Sequence, residues 1–349
     1  MKILLVGSNF SYAIERYFVR YLAEMGVEIN QYTAPDIVFN YHSKNLFNKV
    51  LFRTKINTGY KPVNRELVKI AHEYKPDVIW VFKGMELFPE TLATLNKEFR
   101  LANYNPDHPF LITSRGSGNS NVRDSVGLYQ LHFCYHNQLI QQIKNEFHIP
   151  AVFLPFAYDN SDMQYVDQNS LPEINRLCFQ ANPDAYRTAI IEKLAENGLE
   201  VDVFGIGWQK TKLRNNPRVR LFNIADRKEF WKLNQEYRVQ LNLFREYNKG
   251  SHNMRTFEIP AVGGIQLAPY SEEQAMFFKE GEEIFFFHNE TEMVEKAKFL
   301  LSLPAHKALE IRNAARKRSL NSGYTFKDRA ITVYKSFKAL VDGCIIEQQ

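Results

Sequence analysis

The sequence predicts an α/β protein with two Rossmann-like domains in tandem. Short apolar, β-branched runs alternate with longer segments of helical periodicity, the pattern of βαβ units around a parallel sheet. The alternation stops at a polar, aperiodic stretch, residues 158–172, and then begins again. A chain of 349 residues also exceeds what one hydrophobic core usually organises.

The first predicted domain, residues 1–157, begins with an apolar run (KILLV) that indicates a buried strand. Its predicted strands are 2–6, 27–32, 77–82, 101–104, 131–135 and 151–154. Its predicted helices are 13–25, 65–74, 90–98 and 138–146. Strands and helices in this order predict a doubly wound sheet.

The second predicted domain, residues 173–323, repeats this rhythm. Its predicted strands are 176–180, 200–204, 219–222, 239–243 and 265–268. Its predicted helices are 186–197, 228–236 and 255–261, followed by a helix-rich tail from 290 to 340. We therefore expect two similar α/β domains.

Composition and charge narrow the classes of function. The net charge of +5 suits phosphate-bearing ligands or an anionic membrane surface, but the basic residues are spread along the chain, which argues against nucleic acid. No apolar run approaches the roughly 18 residues of a membrane span, and the start lacks signal-peptide features, so we expect a cytoplasmic protein. The three cysteines form no C-x-x-C pair, which indicates neither a disulfide framework nor a zinc site.

The segment from Ser251 to Pro269 carries the strongest functional pattern. It follows a predicted strand and a loop with Gly250, and Ser251 or Asn253 can cap a helix that begins near Met254. The positive end of that helix then faces the carboxyl edge of the sheet, where α/β domains bind phosphate groups.

Arg255 lies in the first turn of this predicted helix, where the helix dipole disfavours a cation unless an anion lies between them. We therefore assign it to a pyrophosphate. Glu258 shares its helix face and can accept hydrogen bonds from a ribose diol, while Gly263 and Gly264 allow close approach of the backbone. The alternative is a surface ion pair between Arg255 and Glu258, with the two glycines as an ordinary helix stop.

The stretch SHNMRTFEIPAVGGIQLAPYSEEQAMFFKEGEEIFFF resembles the C-terminal domain of the CgeB-like, spore-maturation-type glycosyltransferases, which have the GT-B architecture. That family carries a similar R-x-F-E-x-x-A-x-G-G run. The segments LCFQANPDAYR, VDVFGIGW and FCYHNQLIQQI followed by AVFLPFAYD extend the resemblance, which covers the chain from Cys134 onward. The first half is similar only in topology.

The resemblance implies two Rossmann-like domains facing across a cleft, with a nucleotide-sugar donor in the second domain. A C-terminal helix, within residues 324–349, would cross back onto the first domain. Glu258 would bind the donor ribose and Arg255 the diphosphate. The other residues implied near the donor are Arg187, Gly205, Gly207, Trp208, Ser251, His252, Asn253, Gly263 and Gly264. Trp208 can either stack on the base or pack in the core.

One turn in the first domain is a candidate acceptor or cleft contact. It consists of Gly7, Ser8, Asn9 and Phe10, directly after the first strand. Its single glycine does not make the G-x-G-x-x-G of dinucleotide-binding enzymes. Its backbone N–H groups can contact an acceptor or a sugar, or the segment is a plain strand-to-helix turn.

Asp107 and His108 follow the predicted strand 101–104, where an acid or base would face the cleft. Transfer to a hydroxyl with inversion needs a base near the nucleophile, and Asp107 is the first candidate. The alternative role for Asp107 is an Asx-turn before Pro109. The loop 114–121 beside it can close over an acceptor, and His252 is a weaker catalytic candidate.

The sequence thus predicts a metal-independent hexosyltransferase without cofactor. No D-x-D pair offers a metal site, and Arg255 with a helix dipole can stabilise the departing nucleoside diphosphate in place of a metal. The expected acceptor is a glycan, a lipid-linked molecule or a protein, in bacterial surface glycan or glycoconjugate synthesis. A basic amphipathic segment, 39–55, predicts either peripheral contact with the inner face of a membrane or a helix packed on the first domain. The alternatives are a non-catalytic nucleotide-sugar-binding protein and a nucleotide-sugar 2-epimerase.

Overall fold

The computed structural model describes residues 1–44, 59–111, 116–161, 163–167, 172–244 and 250–346. The chain divides into two compact units. Unit 1 comprises Met1–Pro155 together with Phe326–Gln349, and unit 2 comprises Phe156–Thr325.

Unit 1 is built on a six-stranded sheet in the order β2-β1-β3-β4-β5-β6, with every pairing parallel. The strands are β1 (Lys2–Val6), β2 (Glu28–Tyr32), β3 (Val78–Phe82), β4 (Arg100–Asn105), β5 (Leu131–Cys134) and β6 (Ala151–Phe153). The central strands β1 and β3 are almost wholly apolar and buried, as strands with both faces covered must be.

Helices cover this sheet. They are α1 (Glu15–Glu24), α2 (Ala34–Ser43), α3 (Tyr60–Tyr74), α4 (Pro89–Leu95), α5 (Ser120–Asp124), α6 (Asn137–Phe147) and the C-terminal α13 (Phe326–Asp342). Helix α13 belongs to unit 1 because its aromatic side chains lie in that core. Phe326 stacks on Tyr17 with ring centroids 4.5 Å apart, and Phe337 meets Trp80 edge-on at 5.3 Å.

Unit 2 contains a second parallel sheet, in the order β12-β11-β10-β7-β8-β9. Its strands are β7 (Ile174–Gln180), β8 (Val201–Phe204), β9 (Val219–Phe222), β10 (Tyr237–Leu241), β11 (Gln266–Pro269) and β12 (Phe285–Phe287). Its helices are α7 (Ala185–Glu196), α8 (Arg227–Glu236), α9 (Met254–Ala261), α10 (Glu272–Phe277), α11 (Glu290–Ser302) and α12 (Ala305–Asn321). The centre of the sheet is β7 beside β10, so both of their carboxyl ends lie at the middle of one edge.

The predicted fold class is confirmed, including the return of the last helix to the first unit. Four of the elements named above were not predicted: α2, α5, α10 and β12. Helix α2 buries residues at helical spacing, but its Ile, Val, Phe and Tyr residues favour a strand when the sequence is taken alone. Strand β12 has three residues, too few to show an alternation. Of the predicted amphipathic segment 39–55, residues 39–43 end α2, whereas residues 45–55 lie outside the described residues.

Candidate functional site

Helix α9 begins at the carboxyl edge of the unit 2 sheet, where predicted. Asn253 caps it, since its Oδ1 accepts a hydrogen bond from the Thr256 backbone N–H at 3.1 Å, and the Thr256 hydroxyl accepts from the Asn253 N–H. Asn242, directly after β10, anchors the cap through an amide pair in which Asn253 Nδ2 donates to Asn242 Oδ1 at 2.8 Å. The strand end therefore holds the start of the helix in place.

Three arginines occupy the first turns of three helices at this edge. Arg187 is the third residue of α7, Arg227 the first of α8 and Arg255 the second of α9. Each of the three helices has an Asp or Asn at its N-cap. Cations in these positions oppose the helix dipoles, and an anion between the guanidinium groups and the helix ends would offset that repulsion.

Arg255 and Glu258 do not contact each other in the way the surface ion-pair alternative requires. Arg255 Nη1 donates to the carbonyl oxygen of Gln180, the last residue of β7, at 3.2 Å. Glu258 is only 3% exposed, and its Oε1 accepts from Arg227 Nη1 at 2.8 Å. The Arg227 guanidinium in turn lies 4.4 Å from the ring of Trp231. Arg227 is therefore a candidate site residue that the sequence analysis missed, although its position beside the cap Asp226 repeats the pattern of Arg255.

Arg187 lies deeper than Arg255. It is buried, and its guanidinium donates to the carbonyl oxygens of Asn182 and Leu243, both at 3.1 Å. These carbonyls follow β7 and β10, so Arg187 ties the two central strand ends together. Its charge lies beneath the edge of the sheet, where it adds positive potential.

The turn after β8 packs against the turn after β7. Trp208 is 1% exposed, and its Nε1 donates to the carbonyl oxygen of Ala181 at 2.8 Å, which matches the packing alternative for this side chain. A Cβ atom on Gly205 would lie 2.4 Å from that same oxygen, so only glycine fits there. Gly207 has a φ of 105°, the left-handed region that favours glycine.

Ser251 and His252 are fully buried and hold the loop before α9. His252 Nε2 accepts from the Phe156 N–H at 3.1 Å, so Nδ1 carries the ring proton and donates to Glu273 Oε2 at 2.8 Å. The Ser251 hydroxyl donates to the same carboxylate oxygen at 2.7 Å. Glu273, in the unpredicted helix α10, thus supports the loop, and both ring nitrogens of His252 are engaged within unit 2.

The glycine pair after α9 has a packing role in this structure. Gly263 has a φ of 74° and ends the helix. A Cβ atom on Gly264 would lie 2.6 Å from Ile259 Cγ2 and 2.8 Å from the carbonyl oxygen of Asn234. The close backbone approach predicted here is therefore an approach to the protein's own backbone.

The turn after β1 is held by two carboxylates of unit 1. The Ser8 N–H donates to Glu15 Oε1 at 3.0 Å, and the Asn9 N–H donates to Asp36 Oδ2 at 2.8 Å. Burial raises the pKa of the Glu15 carboxyl group. Gly7 is required because a Cβ would lie 2.9 Å from Glu15 Cγ. The N–H groups predicted to contact an acceptor therefore donate within the protein itself, that of Gly7 to the Tyr32 carbonyl oxygen and those of Ser8 and Asn9 to carboxylates.

Phe10 ends this turn and takes part in a small aromatic group. Its ring stacks on Tyr12 at 5.6 Å and meets Phe39 of α2 edge-on at 5.4 Å. Tyr12 and Phe39 are largely exposed, so the turn presents an aromatic surface beside the carboxyl edge of β1.

Asp107 follows β4 at the carboxyl edge of the unit 1 sheet. Its Oδ2 lies 2.5 Å from Lys83 Nζ, and its side chain is 22% exposed. The Asx-turn predicted for Asp107 is made by Asn105, whose Oδ1 accepts from the Asp107 N–H at 3.0 Å. His108 Nδ1 accepts from the Phe110 N–H at 3.3 Å, and burial lowers the pKa of its imidazole. Of the predicted loop 114–121, residues 114 and 115 belong to the part not described, and residues 120 and 121 begin α5.

A cavity of about 420 Å³ lies in unit 2, beyond the ends of β10, β11 and β12. Its walls include Tyr186 of α7, Phe244, Tyr270 and His288. The rings of Tyr270 and His288 lie 4.6 Å apart. The same edge of the sheet therefore has an open, largely aromatic recess on the side of α7 and α11.

In the described ranges, no three His, Cys, Asp or Glu side chains are grouped so as to hold a metal ion. Among those same residues, none of the helices has the length and apolar character to cross a bilayer.

Comparison with known proteins gives a family match for part of the chain. Residues 187–335 match the family model described as glycosyl transferase-like. The matched residues include Arg187, Arg227, Arg255 and Glu258. Curated protein sequences give no match to the chain.

Solved structures establish the GT-B fold for the whole chain. Sucrose-phosphate synthase from Thermosynechococcus elongatus is similar with a TM-score of 0.72 and 11% identity, covering 98% of this chain and all of that one. HepE from Anabaena in complex with UDP and glucose has a TM-score of 0.65 and 12% identity, covering 97% of this chain and 100% of its own. A protein assigned as a UDP-N-acetylglucosamine 2-epimerase from Listeria monocytogenes has a TM-score of 0.62 and 13% identity, covering 100% and 98%. At these identities the likeness concerns the fold.

Proposed function

We propose that the protein transfers a sugar from a nucleoside-diphosphate sugar to an acceptor hydroxyl. The observation that carries the proposal is the set of three arginines in the first turns of α7, α8 and α9, at one sheet edge and within the residues that match the glycosyl transferase-like family model. A diphosphate is the anion that this arrangement suits, because it brings two adjacent negative groups to several helix N-termini and guanidinium groups.

On the donor, Arg255 and the start of α9 would contact the diphosphate. When the sugar leaves, negative charge grows on the departing nucleoside diphosphate, and a fixed guanidinium and helix dipole stabilise that charge. Metal independence follows as part of the proposal. Glu258 Oε1 accepts from Arg227, so its Oε2 would be the oxygen that accepts from a ribose hydroxyl. Arg227 would hold that carboxylate in a fixed orientation.

On the acceptor, Asp107 would act as the base. A proton passes from the acceptor hydroxyl to the Asp107 carboxylate, and the hydroxyl oxygen forms a bond to the anomeric carbon. The bond from that carbon to the diphosphate oxygen breaks, and the nucleoside diphosphate leaves with the electron pair. No cofactor takes part in this scheme.

The donor proposed for the first test is UDP-glucose, because HepE, which shares the fold, has been solved with UDP-glucose. We make four further proposals. The protein belongs to the CgeB-like family, it transfers a hexose, it acts in the synthesis of bacterial surface glycans, and it is a cytoplasmic protein that makes peripheral contact with the membrane. They rest on the resemblance and on the basic sequence of residues 39–55.

The test is nucleotide binding by the wild type and two variants. UDP, GDP, TDP and CMP are compared by thermal shift, since a ligand at a hundred times its Kd adds about 2.7 kcal/mol. Arg255→Ala should weaken diphosphate binding by about tenfold or more, the loss of one charge-assisted hydrogen bond or more. Lys317→Ala, which removes an exposed positive charge from α12 of the same unit, should leave binding unchanged.

Four results would decide against the proposal or a part of it. If none of the four nucleotides stabilises the protein, the proposed donor site is wrong. If Arg255→Ala binds nucleotide as tightly as the wild type, the role assigned to Arg255 is wrong. Nucleotide binding without release of nucleoside diphosphate from any donor favours a binding protein, and conversion of the donor to its 2-epimer favours an epimerase.

A further inference from the structure

Lys83 has an unusual backbone conformation for its residue type. It follows directly after β3, at the carboxyl edge of the unit 1 sheet, with a φ of 58°. Residues with a side chain rarely adopt this left-handed region, and Gly84 beside it is also left-handed, at 91°. Because glycine and asparagine adopt this conformation at lower cost, the contacts made by the Lys83 side chain are of interest.

The ammonium group of Lys83 connects three segments of unit 1. Nζ lies 2.5 Å from Asp107 Oδ2, after β4, and donates to the carbonyl oxygen of Gly116 at 2.6 Å, before α5. The backbone N–H of Lys83 donates to the carbonyl oxygen of Tyr104 at 2.9 Å. Its side chain is 23% exposed, so the group lies at the surface of the edge rather than in the core.

The contacts of Asp107 leave one carboxylate oxygen for chemistry. Oδ2 is bound by Lys83, and the backbone N–H of Asp107 is bound by Asn105. These two contacts fix both the position of the loop and the rotation of the carboxylate. Within the described residues Oδ1 contacts no donor, and it belongs to a side chain that solvent reaches.

We propose that Lys83 is the positioning residue for the acceptor-side base. It holds Asp107 Oδ2 so that Oδ1 receives the proton of the attacking hydroxyl, and it holds the Gly116 carbonyl at the side of the same group. The left-handed backbone aims the ammonium group across the strand ends toward β4. This proposal rests on the proposed transfer reaction and adds a residue to it.

The experiment uses the full chain, with UDP-glucose as donor and water as acceptor, and measures UDP release. Lys83→Gly keeps the backbone conformation and removes the amine. Release of UDP should fall by about 10²-fold, the scale of general-base assistance, while the Kd for UDP stays within twofold. Added ethylamine should raise the rate of UDP release by Lys83→Gly about tenfold or more, and Lys83→Arg should keep part of the activity. A residue that only stabilises the fold would show neither rescue.

Lys75 supplies the matched control. It is also a lysine of unit 1 with a left-handed backbone, at a φ of 51° after α3, and its side chain is exposed. Lys75→Gly therefore makes the same chemical change away from Asp107, and it should release UDP at the wild-type rate with or without ethylamine.

The outcomes separate the two proposals. Two results would overturn the role of Lys83 and leave the transfer reaction in place. One is release of UDP by Lys83→Gly at the wild-type rate. The other is a loss of rate that neither added ethylamine nor the Lys83→Arg substitution repairs. A wild-type protein that binds no UDP overturns the donor site. A wild-type protein that binds UDP but releases none from UDP-glucose overturns the transfer reaction and the role of Lys83 with it.

Discussion

Replacing Arg227 by methionine removes the charged partner of a buried carboxylate and keeps much of the side-chain volume. Glu258 is 3% exposed and accepts from Arg227 at 2.8 Å. Loss of one partner of a fully buried pair costs about 3–5 kcal/mol, whereas an exposed pair contributes about 0–1 kcal/mol. The Arg227 side chain is 35% exposed, so we expect a value between these, about 2 kcal/mol, including the lost contact with Trp231.

A double-mutant cycle isolates this pair. The free energy of unfolding of unit 2 is followed in urea by the fluorescence of Trp208 and Trp231, for Arg227→Met, Glu258→Gln and the double variant. Glu258→Gln removes the buried charge. Arg227→Met should therefore cost much less in the Glu258→Gln variant than in the wild type, with a coupling energy of about 1–2 kcal/mol. A coupling energy below about 0.5 kcal/mol would refute the view that Arg227 supports the Glu258 carboxylate.

Two further predictions concern stability. Gly264→Ala should destabilise unit 2 by about 2 kcal/mol or more, because the new Cβ meets the Asn234 carbonyl oxygen at 2.8 Å, whereas Gly116→Ala meets nothing within 4 Å and should be neutral; thermal unfolding of both variants checks this. Burial raises the pKa of Glu86 to about 7, so the folded state binds a proton that the unfolded state lacks, and stability falls as pH rises from about 4.5 to 7. Glu86→Gln cannot ionise and should be more stable than wild type by about 1–3 kcal/mol at pH 8, with the difference shrinking toward pH 5; equal gains at both pH values would contradict the cause.

The sequence alone determined the architecture and the place of the segment that we propose to bind the donor. Alternating strand and helix periods require two parallel sheets, because a parallel connection must return through a helix. Asn253 and Met254 mark the start of α9 locally, since a cap bonds to a backbone group only three residues away. For the same reason Arg255 could be placed at the sheet edge without knowledge of its partners.

Only the tertiary structure decided which side chains meet. Arg227 and Glu258 are 31 residues apart in the chain, and His252 and Glu273 are 21 apart, so no local pattern links them. Burial likewise assigned packing roles to Trp208 and the glycines, because exposure depends on how separate elements cover one another. Asp107 and Lys83 meet because neighbouring parallel strands end at one edge, and that neighbourhood is a property of the sheet order rather than of either segment.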